Sequence, residues 1–181
     1  MSTLSVAQLQ AAIAGGVRPD LLFFWGHRPR RDGSLGPSCL SQWWPVEVEV
    51  GGQRFASAEH WMMWNKARMF DDHDAARRVL EAATPAEAKK LGAQVRGFDP
   101  DAWEAERFAI VVAGNRAKFG QHPDLAGFLR ETAPRVLVEA SPVDRIWGIG
   151  LAADDVRASD PACWQGLNLL GFALMQVRDE L

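Results

Sequence analysis

Glu59 and Lys66 are the residues whose types and spacing point most directly to chemistry. They lie seven residues apart on a segment of helical period, a rotation of about 700°, roughly 20° short of two turns. Both therefore fall on one stripe, with Met63 between them and Phe70 beyond. A stripe that is otherwise apolar faces the core. An acid and an amine on it form either a buried ion pair or a reactive site. An amine in a low-dielectric pocket loses its proton more readily and becomes a nucleophile able to form a Schiff base with an aldehyde. A carboxylate near a sugar can act as acid, base or cation stabiliser. His60 lies next to Glu59 on a different face. The order Glu-His, not His-Glu-x-x-His, removes the zinc-protease reading and leaves a satisfied, hydrogen-bonded histidine as the plain one.

Two further clusters carry polar residues among apolar ones. In the run from Glu139 to Gly150, Glu139 ends a strand, Asp144 follows a Ser-Pro turn, and Trp147 is followed by Gly148, a glycine that lets backbone approach a ligand closely. In the run from Trp164 to Gly171, Asn168 stands among leucines and must hydrogen-bond backbone or ligand. Lys118 closes a long helix, where a cation complements the dipole or contacts a ligand phosphate. Trp103 opens the same helix as core or as wall. Arg28, Arg30 and Arg31 make a basic run in a Gly/Pro loop, either solvated or an anion-binding lid.

Composition narrows the classes. Eight Trp and no Tyr supply flat surfaces beyond what a core needs, suited to stacking a planar ligand. A formal net charge of -3 argues against a general nucleic-acid binder. The two cysteines, Cys39 and Cys163, form no CxxC pair, so a disulfide framework or zinc cluster is not expected. Met1 to Gly16 lacks a basic leader followed by a long apolar run, and no stretch is long enough to span a bilayer, so a cytoplasmic protein is expected. The phosphate-loop, dinucleotide-fold, GxSxG and zinc-deaminase motifs are absent.

The elements that must position these residues follow from period and punctuation. A short amphipathic helix over 5–13 ends at Gly15-Gly16. Leu21 to Trp25 reads as a buried strand, and His27 to Ser41 as a loop. Val46 to Val50 alternates strictly and meets Gln53 to Phe55 across Gly51-Gly52, a hairpin. Helices are expected from Ser57 to about Phe70, from Asp74 to Ala83, after Thr84-Pro85, from Asp101 to Phe119, and from Pro123 to Thr132. A strand over 136–139, a loop over 141–159 and a last helix from about Gly166 to Arg178 complete a helix-rich α+β domain with a small sheet and hairpin. Residues 1–20 are expected to be an extension packed on the outside of a single domain over 21–181.

Taken together, these segments resemble the NADAR family, also called YbiA-like. The residues carrying the resemblance are Leu40-Ser41-Gln42-Trp43, Glu59-His60-Trp61-Met62, Lys66, Lys118-Phe119, Glu139 to Gly150, and Trp164 to Arg178. It runs from about Phe23 to the C-terminus, with the motifs in family order. One departure is Gln42 where the family usually has Asn, which leaves the contact made by that loop open. The resemblance implies N-glycosidase activity without metal or organic cofactor. One branch of the family acts on phosphoribosylated pyrimidine intermediates of riboflavin synthesis, another on ADP-ribosylated guanine in nucleotide or nucleic acid. Lys66 is then expected as nucleophile, Glu59 as its charge partner or proton shuttle, and Asp144 as a second acid near the sugar. Trp103, Trp147 and Trp164 are expected as base walls, with Asn168, Glu139, Gly148, Lys118 and His60 as further substrate contacts. The rival from another class is a non-catalytic binder of ADP-ribose or NAD-like ligands. A plain partner-binding domain leaves Glu59, Lys66 and Asn168 on apolar faces unexplained.

Overall fold

Residues 5–181 are described by a computed structural model of the chain, so the first four residues of the expected extension lie outside the described residues. In chain order the elements are α1 (Val6–Ala14), β1 (Leu21–Phe24), β2 (Val48–Val50), β3 (Gln53–Phe55), α2 (Ala58–Met69), α3 (His73–Glu81), α4 (Pro85–Gly92), α5 (Pro100–Gln121), α6 (Pro123–Glu131), β4 (Val136–Glu139) and α7 (Leu169–Glu180). They are shared between two compact units. One joins the residues up to Ser41 to Pro123–Leu181, and the other is Gln42–His122. The architecture is the helix-rich α+β fold with small sheets that the pattern predicts.

In the first unit, β1 and β4 pair in parallel, with Leu21 opposite Val136 and Phe24 opposite Glu139. The four apolar residues of β1 alternate in burial, with Leu22 and Phe24 inward. Helix α7 packs on β4. Its start lies at Leu169, three residues after the expected Gly166. Gly166 belongs to the preceding turn, where a Cβ would collide with the Gly148 and Arg145 backbone. Helix α1 is capped by Ser5, buries Leu9, and is tied down by Gln10 Nε2 donating to the Pro161 carbonyl at 2.9 Å.

In the second unit, the hairpin turns on Gly51 and Gly52 at φ +59° and +79°. Two successive left-handed residues are what a tight hairpin of matching twist requires, and glycine supplies them without steric cost. Strand β2 begins at Val48 rather than Val46, because the chain makes a turn after Pro45, with the Val46 amide donating to Trp44. Helix α2 starts on Ser57, whose Oγ accepts from the His60 amide. Helix α4 starts on Thr84, whose Oγ1 accepts from the Glu87 amide at 3.2 Å while the Glu87 carboxylate accepts from Ala83 at 2.9 Å. These reciprocal caps satisfy amides that a helix start leaves unpaired.

Helix α3 begins on Asp72, not at the expected Asp74. The Asp72 carboxylate accepts from the Ala75 amide, from the Arg96 amide at 2.9 Å, and from Arg96 Nη2 at 2.6 Å. The hydrogen bonds from Arg96 hold its carboxyl well below the ordinary value of 3.8. A carboxyl with a depressed folded-state pKa contributes stability above its unfolded pKa and loses it as pH falls through the folded one. Asp72→Asn is therefore expected to lower Tm at neutral pH, and the gap to the wild type should narrow as the buffer falls below pH 3.8. Thermal melts across that range check this; a gap that stays constant on acidification would assign Asp72 no charge-dependent role.

Candidate functional site

Lys66 sits in the last turn of α2, half-buried, with its ammonium over two rings. Nζ is 4.0 Å from the Phe98 ring centre and 5.7 Å from that of Trp103. Phe98 lies between α4 and α5, following Gly97 at φ +69° and preceding the Asp99 cap of α5. Its ring is held edge-on by Phe70 at 5.3 Å. Trp103 projects from the first turns of α5 and is 9% exposed. Burial pushes the Lys66 amine below its ordinary 10.5. The rings attract the ammonium through their quadrupoles. That offsets only part of the desolvation, because a ring face is not a full counter-charge. No carboxylate among the described residues lies within ion-pair reach of Lys66, so the expected charge pairing with Glu59 is not formed. An amine without a counter-ion, in partly dry surroundings and beside flat apolar faces, has the character of a nucleophile.

Glu59 is 3% exposed in the first turn of α2, and its amide donates to the Gln42 carbonyl at 3.0 Å. His60, expected among the ligand contacts, instead has both ring nitrogens engaged by the protein. Ser57 Oγ lies 2.7 Å from Nδ1, and the Ala82 carbonyl lies 3.2 Å from Nε2. Nε2 must donate to that carbonyl, so Nδ1 of the neutral ring accepts from the serine hydroxyl. Burial lowers the His60 pKa, which keeps the ring neutral. This is a structural histidine locking the start of α2. Lys118 is fully buried in the last turn of α5, with Nζ 4.9 Å from the Phe119 ring centre.

The remaining predicted residues belong to the other unit. Asn168 is fully buried at φ +52°, the left-handed region that asparagine tolerates better than most residues. Its Oδ1 accepts from the Glu139 amide at 2.9 Å, and its Nδ2 donates to the Leu137 carbonyl at 2.9 Å. The side chain expected to orient substrate thus holds the backbone of β4, and Glu139 with it. The Asp144 Oδ1 accepts from the amides of Ile146 at 2.9 Å and Trp147 at 2.8 Å, shaping the turn that presents Trp147. Gly148 is glycine for a different reason from the one expected. A Cβ there would lie 2.8 Å from the Glu139 carbonyl and 3.0 Å from that of Asp144, so the close approach is to the chain's own backbone. The expected loop is laced to the segment before α7 through backbone bonds from Gln165 to Ile149, Asn168 to Gly148 and Leu170 to Trp147. Trp164 is half-buried and donates Nε1 to the Ala158 carbonyl at 2.8 Å.

Other tryptophans serve packing. Trp61 and Trp64 stack at 6.2 Å with Phe55 edge-on to both, and Trp61 Nε1 donates to the Ile110 carbonyl. Gly114 has no side chain because the Trp61 ring fills that space. Among the described residues, no group of three His, Cys, Asp or Glu side chains is placed to hold a metal ion. No helix among them is long and apolar enough to cross a membrane.

The family model described as the NADAR domain matches residues 23–181, from within β1 through α7. This chain belongs to the NADAR family. It is 43% identical over 164 residues to N-glycosidase R617 of Acanthamoeba polyphaga mimivirus, covering 88% of this chain and 95% of that one. It is 29% identical over 138 residues to N-glycosidase YbiA of Escherichia coli strain K12, covering 76% of each. The solved structure of E. coli YbiA superimposes with a TM-score of 0.70 over 91% of this chain and 86% of that one, at 24% identity, which establishes the shared fold. Within the NADAR frame, two residues of this chain stand outside the sequence motifs. Phe98 lies in a Gly-Phe-Asp-Pro break, where its signal is an aromatic residue between two helix signals. Asn115 lies in α5, where its signal is an amide directly after the apolar stretch Val111-Val112-Ala113-Gly114.

Proposed function

We propose that this chain hydrolyses the N-glycosidic bond between ribose and a nucleobase-like nitrogen. Its substrates are phosphoribosylated pyrimidine intermediates of riboflavin synthesis or ADP-ribosylated guanine. The observation that carries the reading is the Lys66 amine over Phe98 and Trp103, without a carboxylate partner and with its pKa lowered by burial. The names of the mimivirus and E. coli relatives support the same bond class.

In the proposed reaction, neutral Nζ attacks the anomeric carbon. The C1′–N bond breaks with its electron pair going to the base nitrogen, which takes a proton. Glu59 is proposed as the shuttle for that proton. Nζ, cationic after the attack, gives up a proton, and the lone pair so freed opens the lysine-bound ribose to the iminium while the ring oxygen takes a proton from water. Water adds to C1′, the C1′–Nζ bond breaks, and the free sugar and amine are restored. The sum is one N-glycoside plus one water giving ribose and base. The aromatic faces of Phe98 and Trp103 favour the cationic transition state. Residues 1–20 are proposed as an addition to the family domain, a reading supported by the family match beginning at Phe23.

Release of free base from each substrate type, followed chromatographically with purified protein, tests the activity and selects the branch. Tight binding of ADP-ribose with no base release from any of them would leave a ligand sensor instead. The pH dependence supplies a further prediction. Because the amine is the reactive form, kcat/KM should rise with pH through the Lys66 pKa, which burial holds below 10.5. Phe98→Ala admits water to the amine, so this limb should move to higher pH. A pH–rate profile unmoved by Phe98→Ala would detach Lys66 from the limb.

A further inference from the structure

Gln42 and Asn115 form a buried amide pair that the proposed chemistry does not use. Gln42 is 5% exposed and Asn115 is fully buried. The Asn115 Nδ2 donates both to the Val111 carbonyl at 2.9 Å and to Gln42 Oε1 at 2.8 Å. This network fixes the orientation of both amides. The Val111 carbonyl can only accept, so the Asn115 atom facing it must be the nitrogen. The Gln42 atom facing that nitrogen must in turn be the oxygen. What remains is therefore one obligatory donor, Gln42 Nε2, and one obligatory acceptor, Asn115 Oδ1. Both are buried, and neither has a hydrogen-bond partner among the described residues. The two amides share a single hydrogen bond, not the closed two-bond ring that would have satisfied both. Buried polar atoms are nearly always paired in native proteins, so two orphans on one linked pair call for a partner that the chain's own side chains do not supply.

The pair lies beside the start of α2. The Gln42 carbonyl accepts from the Glu59 amide at 3.0 Å, so Gln42 is anchored at the start of α2. Lys66 lies two turns along the same helix, about 10 Å along its axis.

We propose that Gln42 and Asn115 read the lactam edge of the substrate's heterocycle. Gln42 Nε2 donates to the ring carbonyl, and Asn115 Oδ1 accepts from the neighbouring ring N–H. This rests on the reading of the chain as a nucleobase N-glycosidase and specifies which bases it takes: those with a carbonyl beside an N–H. A base whose ring nitrogen is alkylated leaves Asn115 Oδ1 unsatisfied and is rejected, because a buried group built to hydrogen-bond discriminates strongly against a partner that cannot.

The test is calorimetric binding of two probe pairs that differ by one N–H: guanosine against N1-methylguanosine, and uridine against N3-methyluridine. At least one unmethylated nucleoside is expected to bind the wild type tenfold or more tighter than its methylated partner. In Gln42→Met, which keeps the length and removes both polar atoms, that preference should fall to less than threefold, with Tm unchanged or raised. Equal affinities within both pairs, no binding of any probe, or a preference that survives in Gln42→Met would overturn the inference. If Gln42→Met does not fold, Gln42→Leu carries the same comparison, and a preference that survives in it overturns the inference. Binding needs no turnover, so a protein that discriminates the pairs but releases no base would refute hydrolysis and leave this inference standing.

Discussion

Sodium borohydride added during turnover is expected to fix the ribosyl fragment to Lys66, detectable as a mass increment on the peptide that carries it. The iminium is the only intermediate in the proposed sequence that hydride reduces to a stable secondary amine, so trapping reports the covalent step directly. Lys66→Ala should abolish trapping and lower kcat/KM by on the order of 10⁴-fold, the scale seen when a nucleophile is removed and binding contacts remain. Lys66→Arg is the sharper variant. It keeps a cation over Phe98 and Trp103 but cannot lose its proton or form an imine. If the cation merely attracted a phosphate, Lys66→Arg would retain most activity; as a nucleophile, it fails as completely as Ala. Both variants should fold, since Lys66 is half-buried and no ion pair is broken by its removal. A Lys66→Arg protein within about tenfold of the wild type would end the Schiff-base route.

Asn168→Ala is expected to be the most destabilising single change considered. Its amide is the partner of two backbone groups, the Glu139 N–H and the carbonyl of the fully buried Leu137. Leaving buried groups unpaired costs about 1–3 kcal/mol each. A left-handed alanine costs about 1 kcal/mol more. The sum is roughly 3–7 kcal/mol, a fall in Tm of about 6–28 °C for a chain of this size. Asn168→Gly separates the contributions: it relieves the φ of +52° but restores neither hydrogen bond. A glycine variant nearly as unstable as alanine assigns the loss to the amide. If instead Asn168→Ala melts like the wild type yet loses substrate affinity, Asn168 contacts ligand, as its place among leucines first suggested.

Local features were legible in the sequence and distant partnerships were not. Gly51-Gly52 between alternating runs specified a hairpin, and Ser57 and Thr84 specified helix starts, because the physics of turns and caps acts over three or four residues. The parallel pairing of β1 with β4 left no such trace, since a four-residue apolar run carries no address for its partner. The start of α7 falls later than the sequence suggests, because the segment from Gly166 to Asn168 looks like a helix entry. Asn168 instead takes a left-handed conformation that only its backbone partners explain. The same division holds at the site. The seven-residue spacing placed Glu59 and Lys66 on one stripe, but not what surrounds them. The amine turned out to face rings contributed from beyond α4, not the acid on its own helix.

The order of the elements along the chain has a consequence for biosynthesis. The Gln42–His122 unit is one uninterrupted stretch, dominated by contacts among neighbouring helices, so it can assemble as soon as it clears the ribosome. The other unit cannot. Strand β1 is translated early and its hydrogen-bonding edge must wait for β4, roughly 115 residues later, before it has a partner. Closing that long loop is entropically costly, and the waiting edge, Leu21 to Phe24, is wholly apolar. The nascent chain is therefore most vulnerable to association with other chains in the interval between the two strands, when one half of the molecule has formed and the other still lacks its final strand and helix.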